Sequence, residues 1–451
     1  MAASMEVQEN NVLKVLELYS GIGGMHYALQ ASGIAAVTVG AVDINDLANK
    51  VYRHNFPQTN LMQRSIEGIT QAEFTKLDAD MLLMSPPCQP FTRQGLKGDS
   101  QDARTKSFFY VMDMLQRLPK TPCYILVENV KGFETSHTRN YLIETLEKCN
   151  YTYEEFLLSP VHLGIPNQRL RYFLLAKKRP LQFASTFSLA PNHILQTYHI
   201  NSNGEQKLKH DISEDAFSKR LLETESSKCE NSSHRTEHVS TDCGDTSHCS
   251  SALRNSNEQH NEEDGEKTCR ESLHIDAVRP EIDGLECASA SIESRTCSSF
   301  VLNSTIKDYL QELDDDDITK YALPDKVLVR YGRLMDIVTS SDERTMCFTK
   351  GYGHKAEGTG SVLQSNTTAK RAEAFSSLAQ ESKTEPAPEV VEKLRNLKLR
   401  YFTPREIARL HHLPEEFNFP ADVTVKQCYR VLGNSLNAYV VSVLIQYLVA
   451  Q

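Results

Sequence analysis

Apolar and polar positions follow two different rhythms along the first 195 residues. Val12 to Leu18 (VLKVLEL) reads as a buried strand running into the turn Ser20-Gly21-Ile22-Gly23-Gly24, and Met25 to Ala31 continues with helical character. Ala35 to Val42 (AAVTVGAV) is a second β-rich run that closes on Asp43. Short apolar runs follow at Met81 to Met84 (MLLM), Tyr124 to Val127 (YILV) and Tyr172 to Ala176 (YFLLA). Between the first two of these, apolar residues recur at helical spacing from Ser107 to Leu118. Strands separated by helices in this way predict an α/β fold built on a doubly wound, mostly parallel sheet, the Rossmann-like arrangement.

The rhythm stops near residue 195. Residues 201–300 hold eighteen serines, many Asn and Glu, and almost no apolar periodicity. Such a segment buries too little surface to offset its ordering entropy, so residues 196–301 are expected to form a disordered, acidic insertion. Short Gly-punctuated runs, including Val327 to Tyr331, then suggest a small second domain over residues 302–391, with a hinge at Thr384 to Pro388. Residues 392–451 are expected to complete the first domain, residues 13–195, and residues 1–12 to be a tail. Thr403-Pro404-Arg405-Glu406 reads as a helix start, with Thr403 as N-cap and Glu406 closing a capping box. A last helix is expected from Ser435.

Charge changes the picture more than composition does. The chain carries a net −10, yet residues 201–320 alone hold 13 Lys+Arg against 27 Asp+Glu, so the rest is mildly basic at +4. A polyanionic substrate is therefore compatible with the body of the protein. The longest apolar run, Tyr439 to Ala450, falls short of the ~20 residues that span a bilayer, and no membrane association is expected. MAASMEVQENNV has no signal-peptide layout, so the eleven cysteines are expected to stay reduced in an intracellular, soluble protein. No CxxC pair occurs, and six of the cysteines lie in the insertion, so no metal site is expected.

Five places could carry chemistry. The turn Ser20 to Gly24 lets backbone approach a ligand at a helix N-terminus, and Asp43 at the end of the next strand suits ribose hydroxyls. The pattern is G-x-G-G, which does not specifically indicate a dinucleotide. Ser85-Pro86-Pro87-Cys88-Gln89-Pro90 follows MLLM directly; three prolines in five residues stiffen the loop and hold a thiol at a strand exit. A buried, inert Cys88 is the competing reading. Glu128 follows YILV at the same kind of strand end. Alternation places Arg169 and Arg171 on one face, suited to a phosphate or carboxylate. Gly433-Asn434-Ser435 precedes the last helix and could serve only as a cap.

In this order, Y-S-G-x-G-G, an acidic strand end, PCQ, ENV, R-x-R and GNS resemble the cytosine-C5 methyltransferase family over residues 13–195 and 392–451. Residues 302–391 occupy the place of that family's target-recognition domain. Cys347-Phe348-Thr349, followed by KGYG and EGTGSVLQ, is similar to the branch of the family that acts on tRNA, and little sequence precedes the first motif. The resemblance implies a catalytic set of Cys88 (nucleophile toward cytosine C6), Glu128 (hydrogen bonding to N3 and the exocyclic amine), Arg169 and Arg171 (bracing the base and a phosphate). It implies S-adenosyl-L-methionine as cofactor, held by Ser20, Gly21, Ile22, Gly23, Gly24 and Met25, by Asp43 at the ribose, by Ile66 and Glu67 at adenine, and by Ser85, Asn434 and Ser435. The family often has Gln where this chain has Asn167. The implied substrate is tRNA, with cytosine 38 in the anticodon loop of tRNA(Asp) as main target and weak DNA binding beside it. A cytoplasmic monomer, with a nuclear fraction open, completes the expectation. A DNA cytosine methyltransferase and a non-catalytic nucleic-acid binder of the same fold stay as alternatives.

Overall fold

The computed structural model describes residues 12–87, 105–183, 194–195, 198–200, 206–208, 304–379 and 387–450. All of them belong to one compact unit, residues 1–213 with 300–451. Residues 214–299, the greater part of the expected insertion, lie outside the described residues, as do Cys88 and residues 384–386 of the expected hinge.

Strands β1 (Leu13–Leu18), β2 (Ala36–Asp43), β3 (Leu61–Gln63), β4 (Met81–Met84), β5 (Tyr124–Val130), β6 (Tyr151–Leu158), β7 (Arg171–Lys178) and β8 (Ile194–Leu195) make one sheet in the order β3-β2-β1-β4-β5-β7-β6-β8. Its first five strands pair in parallel, and β7 lies antiparallel between β5 and β6. The order reverses between β1 and β4, so a crevice opens at their carboxyl ends, where doubly wound folds bind ligands. A small hairpin, β9 (Tyr198–Ile200) with β10 (Gln206–Leu208), follows β8.

Helices cover both faces: α1 (Gly24–Ala31), α2 (Asp46–Asn55), α3 (Gln71–Leu77), α4 (Lys106–Arg117) and α5 (His137–Lys148). Each side of the sheet carries its own apolar cluster. Val15, Leu83, Leu126 and Leu175 point to one, with α1, and Leu16, Leu82, Ile125 and Leu174 to the other, with α4 and α5. The period-2 alternation of buried strand residues separates the two clusters.

Residues 304–379 and 387–401 add α6 (Asp315–Tyr321), α7 (Asp325–Tyr331), α8 (Arg371–Ala379) and α9 (Pro388–Arg395) around a second sheet of β11 (Asp336–Val338), β12 (Ser361–Gln364) and β13 (Leu399–Tyr401). A third cluster, including Leu323, Leu328, Val362, Leu394 and Leu399, packs here. The run Val327 to Tyr331 is helical. Strand β13 comes from beyond residue 391, and Phe348, Tyr352 and Leu363 pack into the main core, so this region is built into the large unit on both sides.

The chain closes with α10 (Pro404–Leu410), α11 (Val425–Asn434) and α12 (Ala438–Val449). The start of α10 is as the sequence predicts: Thr403 accepts from the Glu406 N–H while Glu406 accepts from the Thr403 N–H. Removing this buried cap in Thr403→Ala should lower unfolding stability by about 1–2 kcal/mol, measured by denaturant titration. The stretch Val425–Val449 contains an 18-residue window of mean hydropathy 1.3 and is long and apolar enough to cross a membrane by composition, unlike the shorter run read from the sequence. It is nevertheless broken at Ser435–Asn437 and 72% buried inside the protein. Helix α12 lies against α1 and the sheet, its apolar face being the core's.

Candidate active site

The crevice is assembled from strand ends. The turn after β1 is tethered to β2: Ser20 N–H donates to Val42 O, and Gly21 N–H donates to Asp43 Oδ2 at 2.8 Å. Asp43 Oδ1 accepts from Asn45 N–H. Burial raises the Asp43 carboxyl, and these main-chain donors work against the rise. Tyr19 and Gly23 both sit in the left-handed region, at φ 59° and 88°. For a bulky residue such as Tyr19 that is a costly conformation, of the kind held in place at functional sites. Glu67 and Asp43 both lie close enough to Tyr19 to add to the rise that burial imposes on its phenol.

The turn is also tightly walled. A Cβ at Gly23 would lie 2.4 Å from Phe56 Cε2, and one at Gly24 would lie 3.0 Å from Ser435 Oγ. The GNS segment is therefore brought against the first turn across more than four hundred residues of chain. Ser85, just past β4, donates its hydroxyl to Tyr19 O at 2.9 Å. Ser20 Oγ is buried with no partner among the described residues. Ile44, following Asp43, is 69% exposed, an apolar surface beside the crevice that the sequence reading missed. An orphan hydroxyl, main-chain N–H groups at a helix start, a carboxylate at the next strand end and an exposed aliphatic side chain fit S-adenosylmethionine. Of the predicted adenine contacts, Glu67 is exposed, whereas the Ile66 side chain is in the core cluster beneath the crevice.

The second half of the site lies beside β5. Strand β5 runs through Glu128-Asn129-Val130 and does not end at Val127, because β7 pairs with it along its whole length, Glu128 opposite Phe173 and Val130 opposite Arg171. Glu128 is buried, and its Oε1 lies 3.4 Å from Arg171 Nε. Burial raises the Glu128 carboxyl above its ordinary value, and the Arg171 and Arg169 guanidiniums oppose that rise without cancelling it. Asn129 Nδ2 donates to Pro86 O at 3.4 Å, which ties the stiff Pro86-Pro87 exit of β4 to β5.

Arg169 differs from the expectation. Strand β7 begins at Arg171, so Arg169 lies ahead of it and the two arginines do not share a face by strand alternation. The Arg169 side chain is buried; its two terminal nitrogens donate to protein, while Nε has no partner among the described residues. Nη1 donates to Phe348 O at 3.2 Å and to Cys347 Sγ at 3.3 Å; Nη2 donates to Gly433 O at 3.3 Å and to Ser435 O. It ties its own segment to two distant ones rather than presenting a free cation. Burial, then the neighbouring Arg171 charge, lower its proton affinity.

Cys347 was read as part of a motif only, and the structure brings it into the site. Its sulfur also lies 3.8 Å from Arg171 Nη2. Burial pushes this thiol up, but the two guanidiniums together pull it down further, and the net shift is downward. The following backbone is packed so closely on α11 that a Cβ at Gly433 would meet Lys350 N at 2.2 Å, which explains the glycine of GNS. Asn167 is buried and donates to Thr345 Oγ1 at 3.0 Å, so the shorter amide ties its loop to the segment that leads into Cys347. His411 is buried with both ring nitrogens unpartnered among the described residues, and burial and the same two arginines drive its proton affinity far down. A separate cleft of about 890 Å³, lined by Tyr27, Tyr309, Arg409 and His412 among others, includes none of the predicted site residues. Among the described residues no group of three or more His, Cys, Asp or Glu side chains could hold a metal.

This pairing of a glycine turn with a buried acid and arginines across a doubly wound sheet is that of a Rossmann-like methyltransferase. The chain belongs to the C-5 cytosine-specific DNA methylase family, which it matches over residues 13–450, and is an enzyme that uses S-adenosyl-L-methionine as methyl donor. It is similar to the human tRNA (cytosine(38)-C(5))-methyltransferase, 45% identical over 97% of this chain and 99% of the relative. A Dictyostelium discoideum DNA (cytosine-5)-methyltransferase is 36% identical over 97% of this chain and 94% of its own length. The crystal structure of a Spodoptera frugiperda DNMT2 mutant superposes with a TM-score of 0.67 at 33% identity, covering 97% of this chain and all of that one.

Proposed function

We propose that this enzyme methylates C5 of cytosine in tRNA, with cytosine 38 of the tRNA(Asp) anticodon loop as main target, through a covalent adduct between Cys88 and C6 of the base. The observation that carries the chemistry is the buried Glu128, whose carboxyl is biased toward its protonated form beside Arg171. Cytosine C5 is a poor nucleophile. A thiolate at C6 converts the ring to an enamine, and a protonated carboxyl hydrogen-bonded to N3 stabilises the charge that develops there. S-adenosylmethionine supplies the electrophilic methyl group. Loss of the C5 proton then expels Cys88 and restores the aromatic ring.

The choice of tRNA rests on the human relative's name and on the CFT segment docked against Arg169 and Gly433. An anticodon loop presents bases already unstacked, which lowers the cost of bringing one into a buried pocket. The Dictyostelium relative's name supports DNA as the second reading. Methyl incorporation into tRNA and duplex DNA, assayed side by side, decides between them: labelled tRNA with inert DNA is expected, and the reverse overturns the proposal. We place the protein in the cytoplasm as a monomer.

The acid role has a pH signature. Glu128 keeps its proton above the ordinary carboxyl value of 4.5 because burial penalises the charged form. Its donating form is therefore lost as pH rises through that raised value, while thiolate formation grows, giving a bell-shaped single-turnover rate. Glu128→Gln, which retains an N–H donor but cannot ionise, should slow turnover about 10²-fold and remove the alkaline limb assigned to this carboxyl. An unchanged alkaline limb in the variant would assign it elsewhere.

A further inference from the structure

We propose that Glu17, His26 and Tyr52 form a buried bracket that sets the shape of the cofactor turn and thereby the affinity for S-adenosylmethionine, without acting in methyl transfer. The proposal rests on the assignment of the Ser20–Gly24 turn to the cofactor. These residues take no part in the reaction scheme, yet they are a cluster of ionisable and polar groups almost entirely out of contact with solvent.

Glu17 lies near the end of β1, three residues before Ser20, and is 1% exposed. Its Oε1 is 2.9 Å from His26 Nδ1, 3.1 Å from the Tyr52 hydroxyl and 3.3 Å from Thr38 Oγ1. One carboxyl oxygen thus joins the strand that enters the turn, the first turn of the helix that leaves it, and both α2 and β2. With its proton on Nδ1, His26 donates to Glu17, and Tyr52 donates to the same oxygen. The Tyr52 oxygen lies 2.8 Å from Nδ1, closing the triangle.

The triangle reaches the turn through Phe56. The His26 ring stacks on Phe56 with centroids 3.8 Å apart and planes at 25°. Another part of the Phe56 ring faces Gly23, where an added Cβ would lie 2.4 Å from Phe56 Cε2 and 3.3 Å from Tyr52 Cδ2. Gly23 therefore rests on a ring whose position is fixed by His26, and His26 is fixed by Glu17. Gly24 is confined by Ser435 and Leu436, so the main chain that faces the ligand has little room to move.

The arrangement is costly. Glu17 Oε2 is buried without a partner among the described residues, where an apolar trio of the same volume would leave nothing unsatisfied. A hydrogen-bonded bracket supplies what an apolar trio does not, a single orientation of the ring beneath Gly23. The effect belongs to binding, because none of these groups bonds to Glu128, Arg169, Arg171 or Cys347.

Calorimetric titration of S-adenosylmethionine into the full-length protein, without RNA, tests this independently of the nucleic-acid substrate. His26→Ala and Glu17→Leu should weaken binding about tenfold and Tyr52→Phe about threefold, with kcat at saturating cofactor within about twofold of the parent, the signature of lost uniform binding. Glu17→Gln should stay within about twofold in affinity, since its amide oxygen still accepts from His26 and Tyr52. Amide exchange of the cofactor-free variants should quicken at residues 21–24 before it changes in the sheet. Parental affinity in folded His26→Ala, a fall in kcat with affinity unchanged, or equal damage from Glu17→Gln and Glu17→Leu would each overturn the proposal. Tyr52→Phe removes a single oxygen, so it keeps the test decisive if the larger changes impair folding.

Discussion

Cys88→Ala is expected to reduce methyl transfer by about 10⁴-fold or more while leaving S-adenosylmethionine binding intact. The size follows from the substrate. Without a nucleophile at C6, C5 has no enamine character. Polarisation of N3 by Glu128 and positioning in the pocket remain, and they account for the residual rate. Cys88 itself lies outside the described residues, but its approach is defined: β4 ends at Met84, Ser85 is bonded to the β1 turn, and Pro86 O is bonded to Asn129. As far as Pro86, that exit is tied on one side to the β1 turn and on the other to β5. Single-turnover transfer of a labelled methyl group to tRNA measures the loss. A 5-fluorocytosine RNA, whose C5 cannot release a proton, should capture the parent enzyme covalently and fail to capture the variant. A variant within tenfold of the parent rate, or a conjugate formed without Cys88, would mean that another thiol carries the addition, and Cys347 would be the first to replace.

The parts of this site that were legible in the sequence are those made by neighbours along the chain. The β1-turn-α1 unit, Asp43 at the next strand end and the capping box at Thr403 are local patterns, and each falls where its pattern predicts. The length of β5 was not legible, because Glu128 to Val130 are strand only by virtue of pairing with β7 some forty residues later. Ile44 was invisible for a related reason: an isoleucine one residue beyond a strand reads as core, and only the sheet's edge reveals that it faces outward. Helix α7 was obscured because its short apolar run gives no period to distinguish helix from strand. Cys347 illustrates the limit most directly. A motif likeness marked it, but nothing in its surroundings along the chain announces two guanidiniums contributed by residues 169 and 171.

Arg169 carries the same lesson into energetics, and Arg169→Ala should lower unfolding stability by about 3 kcal/mol or more as well as abolish activity. Its donors serve Phe348 O, Gly433 O, Ser435 O and Cys347 Sγ, from segments 179 and more than 260 residues away. Truncation leaves three carbonyls without this donor, the buried Phe348 O at about 1–3 kcal/mol and the part-buried Gly433 O and Ser435 O at less, and opens a cavity between them. Arg169→Lys should recover only part of the loss, since one ammonium cannot span acceptors on two segments as the planar fork does. Two consequences separate this role from direct contact with substrate. Denaturant unfolding should show the loss in the absence of RNA and cofactor. S-adenosylmethionine affinity should also weaken, because Ser435 stands against Gly24 and is itself held by Arg169. An Arg169→Ala protein of parental stability and cofactor affinity, inactive only toward RNA, would instead place the guanidinium on the substrate. Arg171, at the start of β7 and paired with Glu128 on β5, has the geometry for that contact, and its replacement should cost activity with far less stability.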